Sequence, residues 1–162
     1  MSIPIAISGT DLIGQARTGT GKTLAFGVSA LQRIVLPGDE GWTQSGSRLP
    51  QALVMCPTRE LALQVSRDID TAARVRGARV LTVYGGVGYD SQIDALKRGV
   101  DVVVGTPGRL LDLVGRRDLN LTSCSIVVLD EADEMLDLGF LPDVEKPVSY
   151  THLRAHETEA DL

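Results

Sequence analysis

Cysteine is nearly absent from this chain. Cys56 and Cys124 are the two among 162 residues, too few for a disulfide framework and too few for a zinc site. A reduced, cytoplasmic setting is therefore expected. No stretch reaches the roughly 18 consecutive apolar residues of a membrane helix, and no basic start precedes an apolar run in Met1–Gly9, so neither a membrane span nor a secretion leader is expected. A basic surplus is missing as well: 16 Lys and Arg stand against 21 Asp and Glu, a net charge of −5. Proteins that hold nucleic acid by bulk electrostatics carry a net basic face. That class is disfavoured, while a grip through backbone amides and a few arginines stays open. The single tryptophan, Trp42, falls in a Gly- and Ser-rich stretch, Pro37–Pro50. That stretch reads as a surface loop, where a half-packed ring is expected rather than one stacked on a base. No internal repeat is present.

What remains fits one globular domain, with 43% hydrophobic and 23% charged residues. Short apolar runs alternate with segments of helical period. Ala52–Cys56, Arg79–Tyr84, Val100–Gly105 and Ser125–Asp130 are dense in Val, Leu and Ile, as strands buried on both faces of a sheet are. Leu12–Gln15 is a weaker first strand. Leu24, Val28, Leu31 and Val35 mark one helical stripe, and Leu61, Val65 and Ile69 mark another. A third helix is predicted over Asp90–Arg98 and a fourth from Pro107, because proline suits a first helical position. This alternation implies an α/β domain with a mostly parallel β-sheet flanked by helices. Ligands of such sheets gather at the C-terminal ends of the strands.

The segment Ala16-Arg17-Thr18-Gly19-Thr20-Gly21-Lys22-Thr23 follows a candidate strand and opens a helix, the context of a phosphate-binding P-loop. Gly19 and Gly21 let backbone amides turn inward around a polyphosphate at a helix N-terminus. In that setting Lys22 reaches the β- and γ-phosphates, and the Thr23 hydroxyl is a ligand for Mg²⁺. Ala16 stands where the general pattern has glycine, so the strict motif is not met. A plain Gly/Thr turn before a helix is the alternative. Further on, Ile126-Val127-Val128-Leu129 ends in Asp130-Glu131, two carboxylates at the edge of a buried strand, which are costly there unless a metal or donors satisfy them. Beside a P-loop, Asp130 can hold the Mg²⁺ shell and Glu131 can orient or deprotonate an attacking water. Alone, such a pair reads as a helix N-cap and first turn.

At this point the chain resembles the DEAD-box RNA helicases. Asp130-Glu131-Ala132-Asp133 spells the family's name motif, and Ala16–Thr23 matches the helicase form of the P-loop, which accepts alanine at its first position. Pro57-Thr58-Arg59-Glu60-Leu61-Ala62 resembles motif Ia, Gly85-Gly86 the double-glycine motif, and Thr106-Pro107-Gly108-Arg109 motif Ib. The five occur in the family's order, from Asp11 to about Lys146. The resemblance implies the first of two RecA-like domains of an ATP-dependent RNA-unwinding enzyme. It assigns Ala16–Thr23 to ATP, with Lys22 and Thr23 at ATP·Mg²⁺, Asp130 to the metal, Glu131 to water activation and Asp133 to coupling. It maps RNA contacts to Thr58, Arg59, Gly86, Thr106 and Arg109. Contacts of that kind reach phosphate and sugar and carry little base information, so sequence-independent binding is expected. Read without the resemblance, Thr58 and Thr106 are ordinary N-caps, and Arg59 and Arg109 are solvated surface charges.

Two departures follow. The family's adenine-reading glutamine precedes the P-loop, and this chain starts just past that position; Gln15 is no substitute. After Glu145-Lys146 the family continues to a Ser-Ala-Thr motif and a second domain, whereas this chain continues Val148-Ser149-Tyr150-Thr151-His152-Leu153-Arg154-Ala155-His156-Glu157-Thr158. Those residues can be encoded by the constant bases of a transposase sequencing adapter, so residues 1–147 are expected to be a partial domain and Val148–Leu162 a non-native tail. A metal site at His152, His156 and Glu157 would explain three residues where the adapter explains all. The expected activity of the isolated fragment is weak nucleotide binding, negligible ATP turnover and no unwinding. Another P-loop NTPase and a non-catalytic RNA- or nucleotide-binding module are the rival readings.

Overall fold

A computed structural model describes Ser8, residues 21–42 and residues 48–151. The expected strand Leu12–Gln15, the P-loop positions Ala16–Thr20 and residues 152–162 lie outside the described residues. Helix α1 (Lys22–Arg33) leads to β1 (Ala52–Met55), α2 (Arg59–Arg76), β2 (Val80–Val83), α3 (Asp90–Arg98) and β3 (Val102–Gly105). Then come α4 (Pro107–Gly115), β4 (Ile126–Leu129), α5 (Ala132–Asp137) and α6 (Leu141–Ser149). Among the described residues the sheet has four strands, all parallel, in the order β2-β3-β1-β4.

Consecutive apolar residues let each strand bury both faces. Ala52, Val54, Val102 and Val104 pack on one side with Leu31, Ala62, Val65 and Ile69 of α1 and α2. Leu53, Met55 and Val103 pack on the other with Leu110, Leu113, Met135 and Val144 of α4, α5 and α6. Central strands β1 and β3 are buried throughout, as their apolar runs predict. At the margins of the described sheet, β2 and β4 are only partly buried, because apolar content does not by itself tell a central strand from a marginal one.

Helix α3 spans the expected Asp90–Arg98 and α4 begins at Pro107. The stripe expected on α1 is rotated. Leu31 is buried, but Leu24 is 55% exposed and Val35 lies beyond the helix end; Gly27, Ser29 and Ala30 face inward instead. Close approach of α2 is the reason. A Cβ on Gly27 would stand 3.1 Å from Ile69 Cγ1, so the smallest residues take the helix–helix contact. Helix α6 runs through Pro147, and Val148 packs against the core.

The register places the strand ends on one line. Met55 pairs with both Gly105 and Leu129, and Val83 pairs with Gly105. The residues that follow each strand therefore share one edge of the sheet: Cys56–Thr58, Tyr84–Gly86, Thr106 and Asp130–Glu131.

Both cysteines are free and buried. Burial pushes the Cys56 thiol up to about 12 and the Cys124 thiol to about 11, so thiolate is scarce near neutral pH. The folded chain should react with a disulfide reagent at pH 8 roughly a hundredfold more slowly than the unfolded chain. Fast labelling of either residue in the folded state would contradict this packing.

Candidate active site

Lys22 opens α1 directly after Gly21, whose left-handed backbone (φ 80, ψ 17) suits glycine without strain. Asp130 and Glu131 come from the far end of the sequence, just past β4. The Asp130 N–H donates to the Met55 carbonyl (2.9 Å), the last bond of the β1–β4 ladder, and the Glu131 carbonyl accepts from Met135 N (3.2 Å) to start α5. One residue thus turns strand into helix. Glu131 does so at φ 53, ψ 50, a left-handed conformation costing a non-glycine residue about 1 kcal/mol or more.

This turn brings the two carboxylates to one ammonium. Lys22 Nζ lies 2.8 Å from Glu131 Oε1, across 109 positions of sequence, and 3.1 Å from Asp130 Oδ1. The Asp130 side chain is 3% exposed, against 27% for Lys22 and 28% for Glu131. A capping role does not account for the pair, because Glu131 occupies the N-cap position of α5 without a side-chain cap bond. The Glu131 hydrogen bond, opposed by burial and reinforced by Asp130, holds the Lys22 ammonium above the ordinary lysine value of 10.5. A folded value above the unfolded one means that the stabilisation linked to the lysine proton is present below about pH 10.5 and is lost as pH rises further.

Two carboxylates against one ammonium leave the cluster with a net negative charge, which favours a cation there. Among the described residues no group of three His, Cys, Asp or Glu side chains could hold a metal. The oxygen donor at the cluster is the buried Asp130 carboxylate, and half-buried Thr23 follows Lys22 in the first turn of α1. That sparse oxygen set fits Mg²⁺, which is usually held by one or two protein oxygens together with nucleotide phosphates. Asp133 lies exposed on the first turn of α5, outside the Lys22 ion-pair cluster.

The expected RNA contacts lie along the same sheet edge. Thr58 caps α2, its Oγ1 accepting from Leu61 N at 3.3 Å. Exposed Arg59 stands 4.6 Å from the centroid of the Tyr84 ring. Gly86 is exposed at φ 79, a backbone geometry that favours glycine. Thr106 precedes α4 as its N-cap, without a side-chain cap bond.

Arg109 departs from the solvated surface charge expected without the resemblance. Neither a solvated charge nor a free arm, it is 8% exposed. Its guanidinium donates to Gln92 Oε1 (3.1 Å) and to the Val87 carbonyl (2.8 Å), and lies 4.2 Å from the Tyr89 ring centroid. Acceptors 17 and 22 residues away keep the charge hydrogen-bonded under burial. Tyr84, Tyr89 and Gln92 carry no signal in the sequence, since nothing local to them shows that α4 will pack against this turn.

Comparison with known proteins agrees with this geometry. The DEAD/DEAH box helicase family model matches residues 1–159. The chain is 49% identical over 148 residues to the DEAD-box ATP-dependent RNA helicase CshA of Streptococcus pneumoniae, across 91% of this chain and 26% of that protein. It is 46% identical over 145 residues to the ATP-dependent RNA helicase RhlB of Yersinia pestis, across 89% and 33%. The crystal structure of a hypothetical ATP-dependent RNA helicase from Sulfolobus tokodaii matches with a TM-score of 0.78 at 37% identity, over 93% of this chain and 40% of that one. The chain thus spans 26% to 40% of the length of these relatives.

Proposed function

This chain belongs to the DEAD/DEAH box helicase family, and from that premise we propose that it is the ATP-binding, first RecA-like domain of an ATP-dependent RNA helicase. One observation carries the reading: Lys22 of the P-loop sequence sits on the first two carboxylates of the Asp130-Glu131-Ala132-Asp133 motif. In this reading the amides of Ala16–Gly21 and the N-terminus of α1 bind the phosphates of ATP. Lys22 exchanges its carboxylate partners for β- and γ-phosphate oxygens. Glu131, released from Lys22, accepts a hydrogen bond from the attacking water and takes its proton. Thr23 and Asp130 would hold Mg²⁺, which when bound neutralises charge developing on the phosphate oxygens. Asp133 couples the nucleotide state to the rest of the protein.

Thr58, Arg59, Gly86 and Thr106 face an RNA backbone and read no sequence; Arg109 serves this edge from behind. A second RecA-like domain would complete the hydrolytic site with an arginine. The chain by itself is expected to bind nucleotide weakly, turn ATP over negligibly and unwind nothing. Residues 1–147 make up the domain, Val148–Leu162 is a tail foreign to it in origin although its first residues extend α6 (Leu141–Ser149), and the setting is cytoplasmic. Among the described residues no helix is long and apolar enough to cross a membrane.

Titration with a fluorescent ATP analogue in Mg²⁺ tests the reading. Saturable binding is expected, weakened roughly tenfold or more by Lys22→Ala, which removes a charge-assisted contact to phosphate. Equal affinity of the two proteins would overturn it.

A further inference from the structure

The turn joining β2 to α3 is held in place by Arg109 and by a side chain to which the site described above gives no role, Gln92. Gln92, in the first turn of α3 and 4% exposed, donates through Nε2 to the Tyr84 carbonyl (3.2 Å) and accepts through Oε1 from Arg109 Nη1 (3.1 Å). Arg109 Nη2 donates to the Val87 carbonyl (2.8 Å). The backbone is thereby tied on either side of Gly85 and Gly86, at residue 84 through Gln92 and at residue 87 through Arg109. The Tyr89 ring, at the start of α3, lies under both Arg109 and Arg116 (4.2 and 4.4 Å to the centroid), and its hydroxyl donates to Asp112. Gly86 itself stays exposed.

The chemistry at position 92 admits one arrangement. A guanidinium only donates and a carbonyl only accepts, so the residue between them must accept at one end and donate at the other. Glutamine does both. Glutamate would keep the bond from Arg109 and lose the one to Tyr84, and methionine would lose both. Packing of this region does not need the network, because Tyr89, Ile93 and Leu96 already join the apolar core with Leu110 and Leu113. A buried polar bridge in such a place serves geometry more than cohesion.

We infer that Gln92 is a positioning residue: by linking Arg109 to the Tyr84 carbonyl it fixes the Gly85-Gly86 turn in the form that presents its backbone to RNA, an inference that rests on the RNA reading given above. Arg109 then acts on RNA through the turn and touches no phosphate itself.

The test uses the whole 162-residue chain, with wild type, Gln92→Met and Gln92→Glu compared in three measurements. These are ¹⁵N relaxation order parameters, anisotropy binding of a labelled oligouridine, and binding of fluorescent ADP. In Gln92→Met the order parameters of Gly85–Gly88 should fall from about 0.85 towards 0.6 or lower, while those of β3 stay unchanged. Oligouridine affinity should drop about tenfold, as expected for the loss of two buried hydrogen bonds, with ADP affinity unchanged. Gln92→Glu should lie between the two, and it carries the same comparison if the methionine variant does not fold. An unchanged turn overturns the inference, and so does a loosened turn with unchanged RNA affinity, or parallel losses for RNA, ADP and β3 order. A wild-type chain that binds ADP but no oligouridine overturns the RNA reading itself, an outcome visible before any variant is made.

Discussion

Arg48→Ala is expected to destabilise the chain by about 3–5 kcal/mol, the usual cost of stripping one partner from a buried ion pair. Asp101, fully buried just before β3, accepts from Arg48 Nε at 2.6 Å and from Arg48 Nη2 at 2.5 Å, one bond to each carboxylate oxygen. Its Oδ2 also accepts from Arg79 N at 2.7 Å. The arginine pins the segment entering β1 to the start of β3, and its Cβ lies so close to Gly99 that a side chain there would meet it at 2.6 Å. Alanine keeps that Cβ and removes only the fork, leaving the buried Asp101 carboxylate without its cation and with only the Arg79 N–H bond. Thermal melting should shift down by on the order of 10–15 °C. The double variant Arg48→Met with Asp101→Asn should recover most of the loss, because the amide still accepts from Arg79 N while no charge is left behind. A single Arg48→Ala variant that melts within 2 or 3 °C of wild type, below about 1 kcal/mol, would show that this pair does not anchor the fold.

Legibility in the sequence followed locality. Runs such as Leu53-Val54-Met55 and Val102-Val103-Val104 betrayed strands covered on both faces, and Pro107 marked a helix start, because composition within a few residues decides both. The phase of α1 is not legible in the sequence because the buried face is set by how near α2 can come, which Gly27 and Ile69 decide across more than forty positions. Burial at position 109 is not legible for the same kind of reason: an arginine is solvated by default, and only the fold supplies Gln92, the Val87 carbonyl and Tyr89 to bury it. At the Lys22 ion-pair cluster the sequence points to Lys22, Asp130 and Glu131, since lysine after a glycine loop and carboxylates after a strand are tied to chemistry. Their mutual contact, and the left-handed Glu131 that creates it, emerged only from the register of β4 against β1.

That contact makes Lys22 a contested group, and Glu131→Gln should show it. Any ligand that needs the ammonium must first displace its carboxylates, so its affinity is reduced by the net strength of that pairing. For a partly exposed pair this is about 1 kcal/mol, or roughly fivefold in Kd. Replacing Glu131 with Gln weakens the competitor and removes a negative charge beside an incoming polyanion. ATP affinity should therefore rise about three- to tenfold by calorimetry, opposite in sign to Lys22→Ala. Asp130→Asn separates the two roles of the acidic pair. Without Mg²⁺ it should tighten ATP binding as Glu131→Gln does, since it too frees the lysine. With Mg²⁺ present that gain should vanish, because the buried carboxylate offered to the metal is gone. In a helicase that carries this domain, Glu131→Gln should also slow ATP hydrolysis by about 10²–10⁴, the usual contribution of a positioned base, while binding stays tight. If Glu131→Gln instead weakens ATP binding as Lys22→Ala does, the pair seen here is part of the bound state, and Lys22 never leaves its carboxylates for phosphate.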